Sequence, residues 1–503
     1  MRSSSNLVTL ALAFAGGVRA AEYNSFDGPG FPTCYDVTAV HNATSVDEMV
    51  SLVQAAAASG KQCADLPTEI IRTELVNNIS DFDLPAGAES GSVVVEAGVT
   101  FFQLADYLHA RGANIGTGLV NWNISLGGSV AMGAHRTSLR EDAVVVGGVL
   151  SMDIIDGSGN IRTVERDESN DEWLAASTSL GLLGVIARLK MKIYPETVLY
   201  AMQKTLDEED VLNGDIEALI SPYLTANLWE LLDPQRGPYK KKFHQRYYDV
   251  VGPNDANQHG LQSTFSVTGI EAAAAISILE TGKALATSNM LAEEIFFGIW
   301  EKPNFHTKDT NVELTTWPVT GYNCNVLLND HDVLIGGLYP DQKAEWDYNL
   351  RGYTLELAFP VPLANKMLKR VRELFDAQWK EKLIVMTSTY RSGINIKFGK
   401  PHYDLLGQVT TNTSDGADWS KGAIMFDFPS FRPNTGDHLR FNEPFCEASL
   451  ILPLVDTRML TLDRPQPIAD SHQRHIARFK AVREDFDPKG TFRSVVGEII
   501  GVY

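Results

Sequence analysis

The sequence predicts an α+β chain built from two large units, and three observations support this fold class. First, its 503 residues exceed what a single hydrophobic core usually serves. Second, apolar residues alternate in some segments and recur every three or four residues in others, as in strands and amphipathic helices respectively. Third, a long alternating strand stops at Tyr194-Pro195-Glu196, and the pattern of elements changes beyond it. We therefore expect a domain boundary close to this point.

The first twenty residues predict a signal peptide. Arg2 precedes the short apolar run Leu7–Ala15, and Val18-Arg19-Ala20 places small residues where a signal peptidase needs them. The apolar run is too short to cross a bilayer, and no later stretch is long and apolar enough to do so. We expect residues 1–20 to be removed near Ala20 and the mature chain to be secreted.

The elements of the N-terminal half follow from local signals. Ser45-Val46-Asp47-Glu48 is a capping box and opens a helix that Gly60 closes. Val93–Glu96 is a buried strand, and Thr100 caps a second helix that ends at Gly112.

A hairpin and a long strand complete this half. Leu150–Ile155 and Ile161–Val164 flank the turn residues Asp156-Gly157-Ser158-Gly159, which predicts a hairpin. Val185–Ile193 alternates as a half-buried strand.

The C-terminal half alternates strands with long amphipathic helices. Three segments are predicted as strands, and one helix carries an apolar face between Met367 and Phe375. The strands are Thr354–Phe359, Ile384–Thr389 and Ile394–Phe398. The tail forms a further helix over Ile476–Phe486, which Asp487-Pro488-Lys489-Gly490 breaks.

The glycine-rich run Asn121–His135 is the strongest candidate for a binding site. Glycines allow close approach of the backbone, whose N–H groups then form a nest for a pyrophosphate. Tight packing of small residues between a helix and a sheet is the alternative explanation. The candidate cofactor residues are Gly116, Gly118, Ser125, Gly127, Gly128, Ser129, Gly133, His135, Gly184 and Ile186. Gly116-Thr117-Gly118 lacks the third glycine and the preceding strand of a Rossmann fingerprint, which disfavours NAD.

Three ordered motifs together resemble the FAD-linked oxidases of the PCMH-type, or vanillyl-alcohol oxidase, superfamily. They are Gly127-Gly128 through His135, Gly181-x-x-Gly184-Val185-Ile186, and the tail Phe479…Asp487-Pro488-Lys489-Gly490…Phe492. The similarity is nearest to the branch of D-arabinono-1,4-lactone oxidases and sugar-alcohol oxidases, and it covers nearly all of the mature chain.

The resemblance implies a fold and a reaction. A PCMH-type FAD-binding domain of two small α+β subdomains is expected over 33–198. A substrate or cap domain over 199–465, with a large antiparallel sheet flanked by helices, and a C-terminal segment over 466–503 that returns to the flavin domain complete the chain. The implied reaction is hydride transfer from a hydroxyl-bearing carbon to the flavin, with O2 as electron acceptor.

The resemblance also suggests which residues meet the substrate. Glu356 matches the Glu-x-Ala-x-Pro strand of the family, whose carboxylate binds substrate hydroxyls. Arg391 and Lys397 are the cations expected to face the same sheet. The alternative is that these charges are solvated surface groups, as most are. His135 is expected to line the cofactor without acting as a catalyst, or else to hold its loop in shape as a buried histidine.

Two motifs of the resembled family are missing. The Gly-x-Gly-His-Ser loop is absent, since no glycine occurs over 61–86 and no histidine between His41 and His109. The His-Trp-x-Lys motif is also absent, because no tryptophan follows Trp419, and neither His472 nor His475 sits in the right context. We therefore expect noncovalent FAD. Three explanations stay open: a divergent active site, a catalytically degenerate flavin- or ligand-binding protein, or short coding segments missing from the deduced sequence.

Charge and composition define the partners that we expect. The formal net charge is −20, with 63 acidic against 43 basic residues. Such a surface disfavours nucleic acid and anionic lipid, whose generic affinity comes from Lys and Arg. A small-molecule substrate and O2 are therefore the expected partners, and the oligomeric state is left open.

Secretion would also allow covalent modification. Sequons predict glycosylation at Asn42, Asn78 and Asn412, whereas Asn123 lies inside the glycine-rich run and is expected to stay unmodified. The four cysteines are disulfide candidates with three possible connectivities, or else free thiols: Cys34, Cys63, Cys324 and Cys446. No Cys/His cluster in the sequence suggests zinc.

Overall fold

The computed structural model describes most of the N-terminal half and parts of the C-terminal half. The described residues are 21–23, 34–59, 68–116, 124–196, 198–221, 225–230, 241–251, 261–265, 305–307, 324–329, 351–382, 394–407, 418–432 and 467–503. Within these ranges the chain forms three β-sheets and nine α-helices.

The first sheet is small and carries one helix. It consists of β1 (Ala21–Tyr23), β2 (Cys34–Asn42) and β3 (Thr68–Arg72), and β2 and β3 run parallel. Helix α1 (Val46–Ala58) begins as predicted, with the Ser45 hydroxyl accepting a hydrogen bond from the Glu48 amide at 3.2 Å. The Glu48 carboxylate accepts from the Thr44 amide at 2.8 Å, so it reaches one residue further back than a capping box requires.

The second sheet is antiparallel throughout and forms the centre of the N-terminal half. Its strands are β4 (Ile79–Asp83), β5 (Gly91–Glu96), β6 (Ala113–Asn114), β7 (Val149–Ile155), β8 (Ile161–Glu165) and β9 (Val185–Pro195). The strand order is β4-β5-β9-β7-β8, and β6 pairs with β9. The predicted hairpin is confirmed as β7–β8, and alternate residues of β9 are buried as predicted.

Three short helices accompany this sheet: α2 (Phe101–His109), α3 (Leu126–Ala131) and α4 (Asp171–Ala176). Thr100 and Gln103 form a complete capping box at the start of α2, which confirms that prediction. Gly112 follows α2 with a φ of 66°, a left-handed conformation that glycine adopts without strain.

The third sheet has nine strands and belongs to the C-terminal half. Its strands are β10 (Val198–Asp207), β11 (Thr225–Glu230), β12 (Lys242–Val251), β13 (Leu261–Phe265), β14 (Phe305–Thr307), β15 (Cys324–Asn329), β16 (Arg351–Pro360), β17 (Ile394–Gly399) and β18 (Ala423–Arg432). The order is β14-β13-β15-β10-β12-β11-β17-β18-β16, and every pair except β13–β15 is antiparallel.

One face of the third sheet is apolar and is covered by helices. Those helices are α5 (Glu208–Asn213), α6 (Ile216–Ile220) and α7 (Ala364–Lys382). Ile394, Ile396 and Phe398 of β17 are fully buried in a core that also contains Leu368 of α7. The alternation of β17 therefore directs its intervening residues, Asn395 and Lys397, to the opposite face.

The C-terminal helix α8 (Pro467–Phe486) packs back onto the N-terminal half, and α9 (Val495–Ile499) follows it. Phe479 and Phe486 of α8 are fully buried in the core of the second sheet. The carboxylate of Asp487 accepts hydrogen bonds from the amides of Thr491 and Phe492 at 2.7 and 2.8 Å, which fixes the chain reversal after α8.

A second segment of the C-terminal half, residues 400–407, also lies against the N-terminal half. Leu405 is buried in the core of the second sheet, and its amide donates to the Leu174 carbonyl at 3.3 Å. The Thr178 hydroxyl donates to the buried Asp404 carboxylate at 2.9 Å. The predicted range 199–465 of the cap domain thus contains a segment that helps to build the core of its neighbour.

The predicted fold class is confirmed: the chain is α+β, with a large, predominantly antiparallel sheet flanked by helices in its C-terminal half. The strand predicted at Ile384–Thr389 lies outside the described residues. The domain limits 33–198, 199–465 and 466–503 stay predictions.

Candidate active site

Four polar residues meet on the face of the third sheet that the helices do not cover. Glu356 of β16 is paired directly with Asp427 of β18, and Asp427 is paired with Asn395 of β17. Directly opposed residues of antiparallel strands point to the same side, and Lys397 lies two residues beyond Asn395 on that side. The sequence pattern Ile-Asn-Ile-Lys-Phe therefore places its apolar groups in the core and its polar groups on the surface that Glu356 and Asp427 share.

Lys397 lies between two carboxylates. Its Nζ is 3.3 Å from Glu356 Oε2 and 3.3 Å from Asp427 Oδ2. The side chains of Lys397, Glu356 and Asp427 are only 13, 12 and 17% exposed. Two carboxylates on directly opposed residues repel each other, and the ammonium group between them offsets that repulsion.

The N-terminal half contributes a histidine to the same group. Nε2 of His135 lies 2.5 Å from Oε1 of Glu356, and the His135 side chain is 13% exposed. We refer to His135, Glu356, Lys397 and Asp427 as the buried quartet. It joins the loop after α3 to three strands of the third sheet.

The protonation states of the buried quartet are perturbed. Burial by itself would raise the pKa of Glu356, but the hydrogen bond from His135 and the charge of Lys397 lower it to about 2. Burial by itself would lower the pKa of Lys397, but the charges of Glu356 and Asp427 raise it above its ordinary value. Glu356 is therefore a carboxylate and Lys397 an ammonium ion throughout the physiological range.

The backbone around His135 is held by the segment that follows it. His135 forms an isolated antiparallel bridge with Val144, and the Val145 amide donates to the Ala134 carbonyl at 2.9 Å. Gly133 has a φ of 63°, and a Cβ there would lie 2.9 Å from the Thr178 side chain. This turn after α3 directs the imidazole of His135 towards Glu356.

Several predicted cofactor residues serve the packing of the N-terminal half. A Cβ on Gly127 would lie 2.6 Å from the Ala97 Cβ, so glycine allows α3 to approach the end of β5. The buried Ser129 hydroxyl donates to the Ser125 carbonyl at 2.7 Å. A Cβ on Gly184 would lie 2.2 Å from the Ile155 carbonyl oxygen, and Ile186 pairs with Ile154 of β7. These contacts do not test the predicted cofactor roles, which stay predictions.

The structure also describes the predicted cofactor residues Gly116 and Gly128, whereas several other predicted residues lie outside the described ranges. Gly116 has a φ of 77°, and a Cβ there would lie 2.3 Å from the Glu141 carboxylate. On Gly128 a Cβ would meet only the Ser125 hydroxyl oxygen, at 3.0 Å. The residues that lie outside the described ranges are Gly118, Arg391, Asn412, Cys63, Cys446 and the segment 121–123.

The residues present fit a bound flavin together with its substrate on two observations. Nδ1 of His135 is buried and has no hydrogen-bond partner among the described residues, although such atoms are normally paired. The segment from Ser125 to His135 is compact and poor in bulky side chains, and at its end it contacts the charged face of the third sheet. FAD would be held by the backbone of this segment, and the buried quartet would lie on its substrate side.

A second charged cluster was not predicted. Asp142 accepts from Arg166 Nη2 at 3.1 Å and pairs with Lys400 Nζ at 3.0 Å, and its Oδ2 lies 3.3 Å from His402 Nδ1. Burial would raise the pKa of Asp142, but His402 and Lys400 lower it well below its ordinary value. The cluster fastens the segment 400–407 to the N-terminal half.

Asp427 was also missed, although the sequence contains a signal for it. It is the one charged residue in the otherwise apolar run Ala423–Phe428, and such a residue in a buried strand implies a partner. Arg166 and Asp142, by contrast, lie 24 residues apart in irregular segments, so no periodicity links them.

The remaining predicted residues concern modification. Asn42 and Asn78 are exposed, as a glycan requires. Cys34 lies in β2 and Cys324 in β15. Glycosylation and disulfide formation stay predictions.

His475, buried in α8, packs edge-on against Tyr403 and thus belongs to the contact between α8 and the segment 400–407.

Two features are absent from the described ranges. None of the helices that they contain is long and apolar enough to cross a membrane. No group of three or more His, Cys, Asp or Glu side chains within them is arranged to hold a metal ion.

Comparisons with known proteins agree with this geometry. A family described as "FAD binding domain" matches residues 37–165. L-Gulonolactone oxidase 5 of Arabidopsis thaliana is 24% identical, over 94% of this chain and 82% of its own length. D-Arabinono-1,4-lactone oxidase of Kluyveromyces lactis is 26% identical, over 34% of each protein.

Solved structures show the same fold at low sequence identity. Cholesterol oxidase from B. sterolicum superposes with a TM-score of 0.66 at 11% identity, covering 93% of this chain and 94% of its own. A VAO-type flavoprotein from Myceliophthora thermophila superposes with a TM-score of 0.56 at 12% identity, covering 90% of this chain and 78% of its own.

Proposed function

Since this chain is an FAD-linked oxidoreductase of the PCMH-type, or vanillyl-alcohol oxidase, superfamily, we propose that it oxidises a hydroxyl-bearing carbon of a small polyol, aldonolactone or secondary-metabolite alcohol. The observation that carries this proposal is the buried quartet. Buried charges are costly, and their concentration where two halves of a chain meet is typical of an active site.

The buried quartet offers what an alcohol substrate needs. The Glu356 carboxylate has lone pairs beyond those used by His135 and Lys397, so it can accept hydrogen bonds from substrate hydroxyls. The Lys397 ammonium can stabilise negative charge that develops on a substrate oxygen. Bound FAD would supply the acceptor for the hydride, while these side chains orient the substrate and keep the reacting oxygen polarised.

The substrate class rests on the relatives. Those named above are an L-gulonolactone oxidase and a D-arabinono-1,4-lactone oxidase. A surface with two carboxylates and one lysine suits a neutral polyhydroxylated molecule better than an anionic one. O2 as electron acceptor, noncovalent attachment of FAD and secretion of the mature chain belong to the same proposal. The absence of the Gly-x-Gly-His-Ser histidine supports noncovalent attachment.

A second candidate function is a secreted flavin- or ligand-binding protein without redox activity. The observation in its favour is the loss of both the Gly-x-Gly-His-Ser and the His-Trp-x-Lys motifs from otherwise similar surroundings. Such a protein would hold FAD or another ligand on the same scaffold and would not turn over alcohols.

Turnover separates the two candidates. Purified full-length protein loaded with FAD is mixed anaerobically with polyols, aldonolactones and simple alcohols, and the visible absorbance of the flavin is followed. An oxidase bleaches with at least one class and produces hydrogen peroxide when air is admitted, whereas Glu356→Gln loses most of this activity. A protein that binds FAD but bleaches with no member of the panel would favour the binding protein.

A further inference from the structure

The two ring nitrogens of His135 have different surroundings, and the difference determines where its proton lies. Nε2 lies 2.5 Å from Oε1 of Glu356. Nδ1 is buried and has no hydrogen-bond partner among the residues that the structure describes. A neutral imidazole carries a hydrogen on one nitrogen and a lone pair on the other.

Glu356 decides between the two tautomers. Burial acts to raise its pKa, but His135 and Lys397 lower it to about 2, so Glu356 is an ionised carboxylate that can only accept hydrogen bonds. Its contact with Nε2 therefore requires a hydrogen on Nε2. The lone pair of neutral His135 is consequently on Nδ1, the atom without a partner.

A comparison within the chain shows that the setting of His135 is specific. His402 is also buried, its Nδ1 contacts Asp142 at 3.3 Å, and its Nε2 has no partner within the described ranges. Its carboxylate partner, however, also pairs with Arg166 and Lys400 in the cluster that fastens the segment 400–407. The carboxylate partner of His135 lies instead in the buried quartet, on the predicted substrate surface.

We propose that His135 is the catalytic base of the oxidation, accepting the proton of the substrate hydroxyl on Nδ1. This inference rests on the proposed function. The O–H bond breaks and its proton moves to Nδ1, while the C–H bond breaks and its electron pair leaves as hydride to oxidised FAD. The carbon–oxygen double bond forms, the flavin is reduced by two electrons, and O2 later takes these electrons to give hydrogen peroxide.

The other three members of the buried quartet each contribute to this proton and hydride transfer. Glu356 holds the hydrogen on Nε2 and stabilises the imidazolium ion that forms. Lys397 stabilises the substrate oxygen, and Asp427 positions Lys397. Glu356 and Lys397 keep their charges across neutral pH, because the pKa of the first is lowered and that of the second is raised.

The test replaces His135 by glutamine in the full-length protein. The glutamine amide can still donate to Glu356 but has no basic nitrogen. We expect His135→Gln to reduce the anaerobic rate of flavin reduction by about 10²–10⁴-fold, the usual contribution of a positioned base. We also expect it to abolish the decline of that rate at acid pH. His402→Gln is the matched control and should keep both the rate, within a few-fold, and the acid limb.

A titration of FAD against the apoprotein distinguishes a base from a residue that only lines the cofactor. We expect the Kd for FAD of His135→Gln to stay within a few-fold of that of the unsubstituted protein. A large rise in this Kd, together with an unchanged rate and pH profile when FAD is saturating, would overturn the inference.

A second measurement uses the unsubstituted protein, in case His135→Gln does not fold. In weakly buffered anaerobic mixing with a pH indicator, the proton should reach the solvent after the flavin bleaches, because His135 holds it. Release simultaneous with bleaching would contradict the inference. If the unsubstituted protein binds FAD and no substrate bleaches it, the proposed function itself fails, which is a different outcome.

Discussion

Substitution of Glu356 by glutamine should change how the stability of the protein depends on pH. In the folded protein burial opposes the ionisation of Glu356, but His135 and Lys397 lower its pKa from 4.5 to about 2. A carboxyl group whose folded-state pKa is lowered contributes stability above its unfolded pKa and loses it as the pH falls towards the folded one. The window for Glu356 therefore runs from about pH 5 down to about pH 2.

The size of the effect follows from the shift. A change from 4.5 to about 2 corresponds to about 3 kcal/mol, at 1.36 kcal/mol for each pKa unit. By linkage, about 2 kcal/mol of this is lost by pH 3. Glu356→Gln also removes the carboxylate partner of His135 and one of the two carboxylate partners of Lys397, which should cost about 3–5 kcal/mol at pH 7. The difference in unfolding free energy between the two proteins should therefore narrow by about 2 kcal/mol between pH 7 and pH 3.

The assay is denaturant unfolding at a series of pH values, with thermal unfolding as a check where refolding is incomplete. Glu217→Gln is the matched control, since Glu217 forms an exposed pair with Lys421, and such pairs contribute little. It should follow the unsubstituted protein at every pH. A difference for Glu356→Gln that stays constant from pH 7 to pH 3 would refute the assigned contacts of the buried quartet.

Three further substitutions test the packing and the site. Lys397→Met removes the ammonium group between Glu356 and Asp427, so flavin reduction should slow by at least about 10²-fold in stopped-flow mixing, the loss typical of one electrostatic group. A rate within a few-fold of the unsubstituted protein would contradict its role. Gly127→Ala forces a Cβ to 2.6 Å from the Ala97 side chain and should lower the unfolding free energy by about 1–3 kcal/mol, whereas Gly148→Ala, with no atom closer than 4.0 Å, should not. Phe479→Ala opens a cavity under α8 and should cost about 3–5 kcal/mol in the same unfolding assay; an unchanged midpoint would show that α8 does not complete the core.

Local signals were enough to predict much of the fold. The helix after Thr100, its end at Gly112 and the β7–β8 hairpin depend on neighbouring residues, and all three are confirmed. The return of α8 to the N-terminal half was expected from the resemblance alone, and the burial of Phe479 agrees with it. The packing of residues 400–407 had no such signal, because it depends on long-range contacts such as that of Asp404 with Thr178.

Only part of the candidate site was predicted, because some of its residues come together through contacts between distant parts of the chain. Glu356 and Lys397 were chosen from a resemblance, and the structure places them in contact. That Asp427 and His135 join them depends on strand order and on the approach of two halves of the chain, which no local pattern contains. Gly127 was predicted to bind the cofactor, and the structure shows that it is needed for the close packing of α3. The sequence alone cannot distinguish a glycine required for packing from one that approaches a ligand.

The flavin content of the purified, correctly folded full-length protein decides whether this chain holds noncovalent FAD. The account predicts a yellow protein, or one that takes up added FAD, and it predicts that acid precipitation releases FAD into the supernatant in a ratio of about one per chain. Flavin that remains with the precipitated polypeptide would contradict noncovalent attachment. A colourless, folded protein that fails to take up added FAD would contradict the account as a whole.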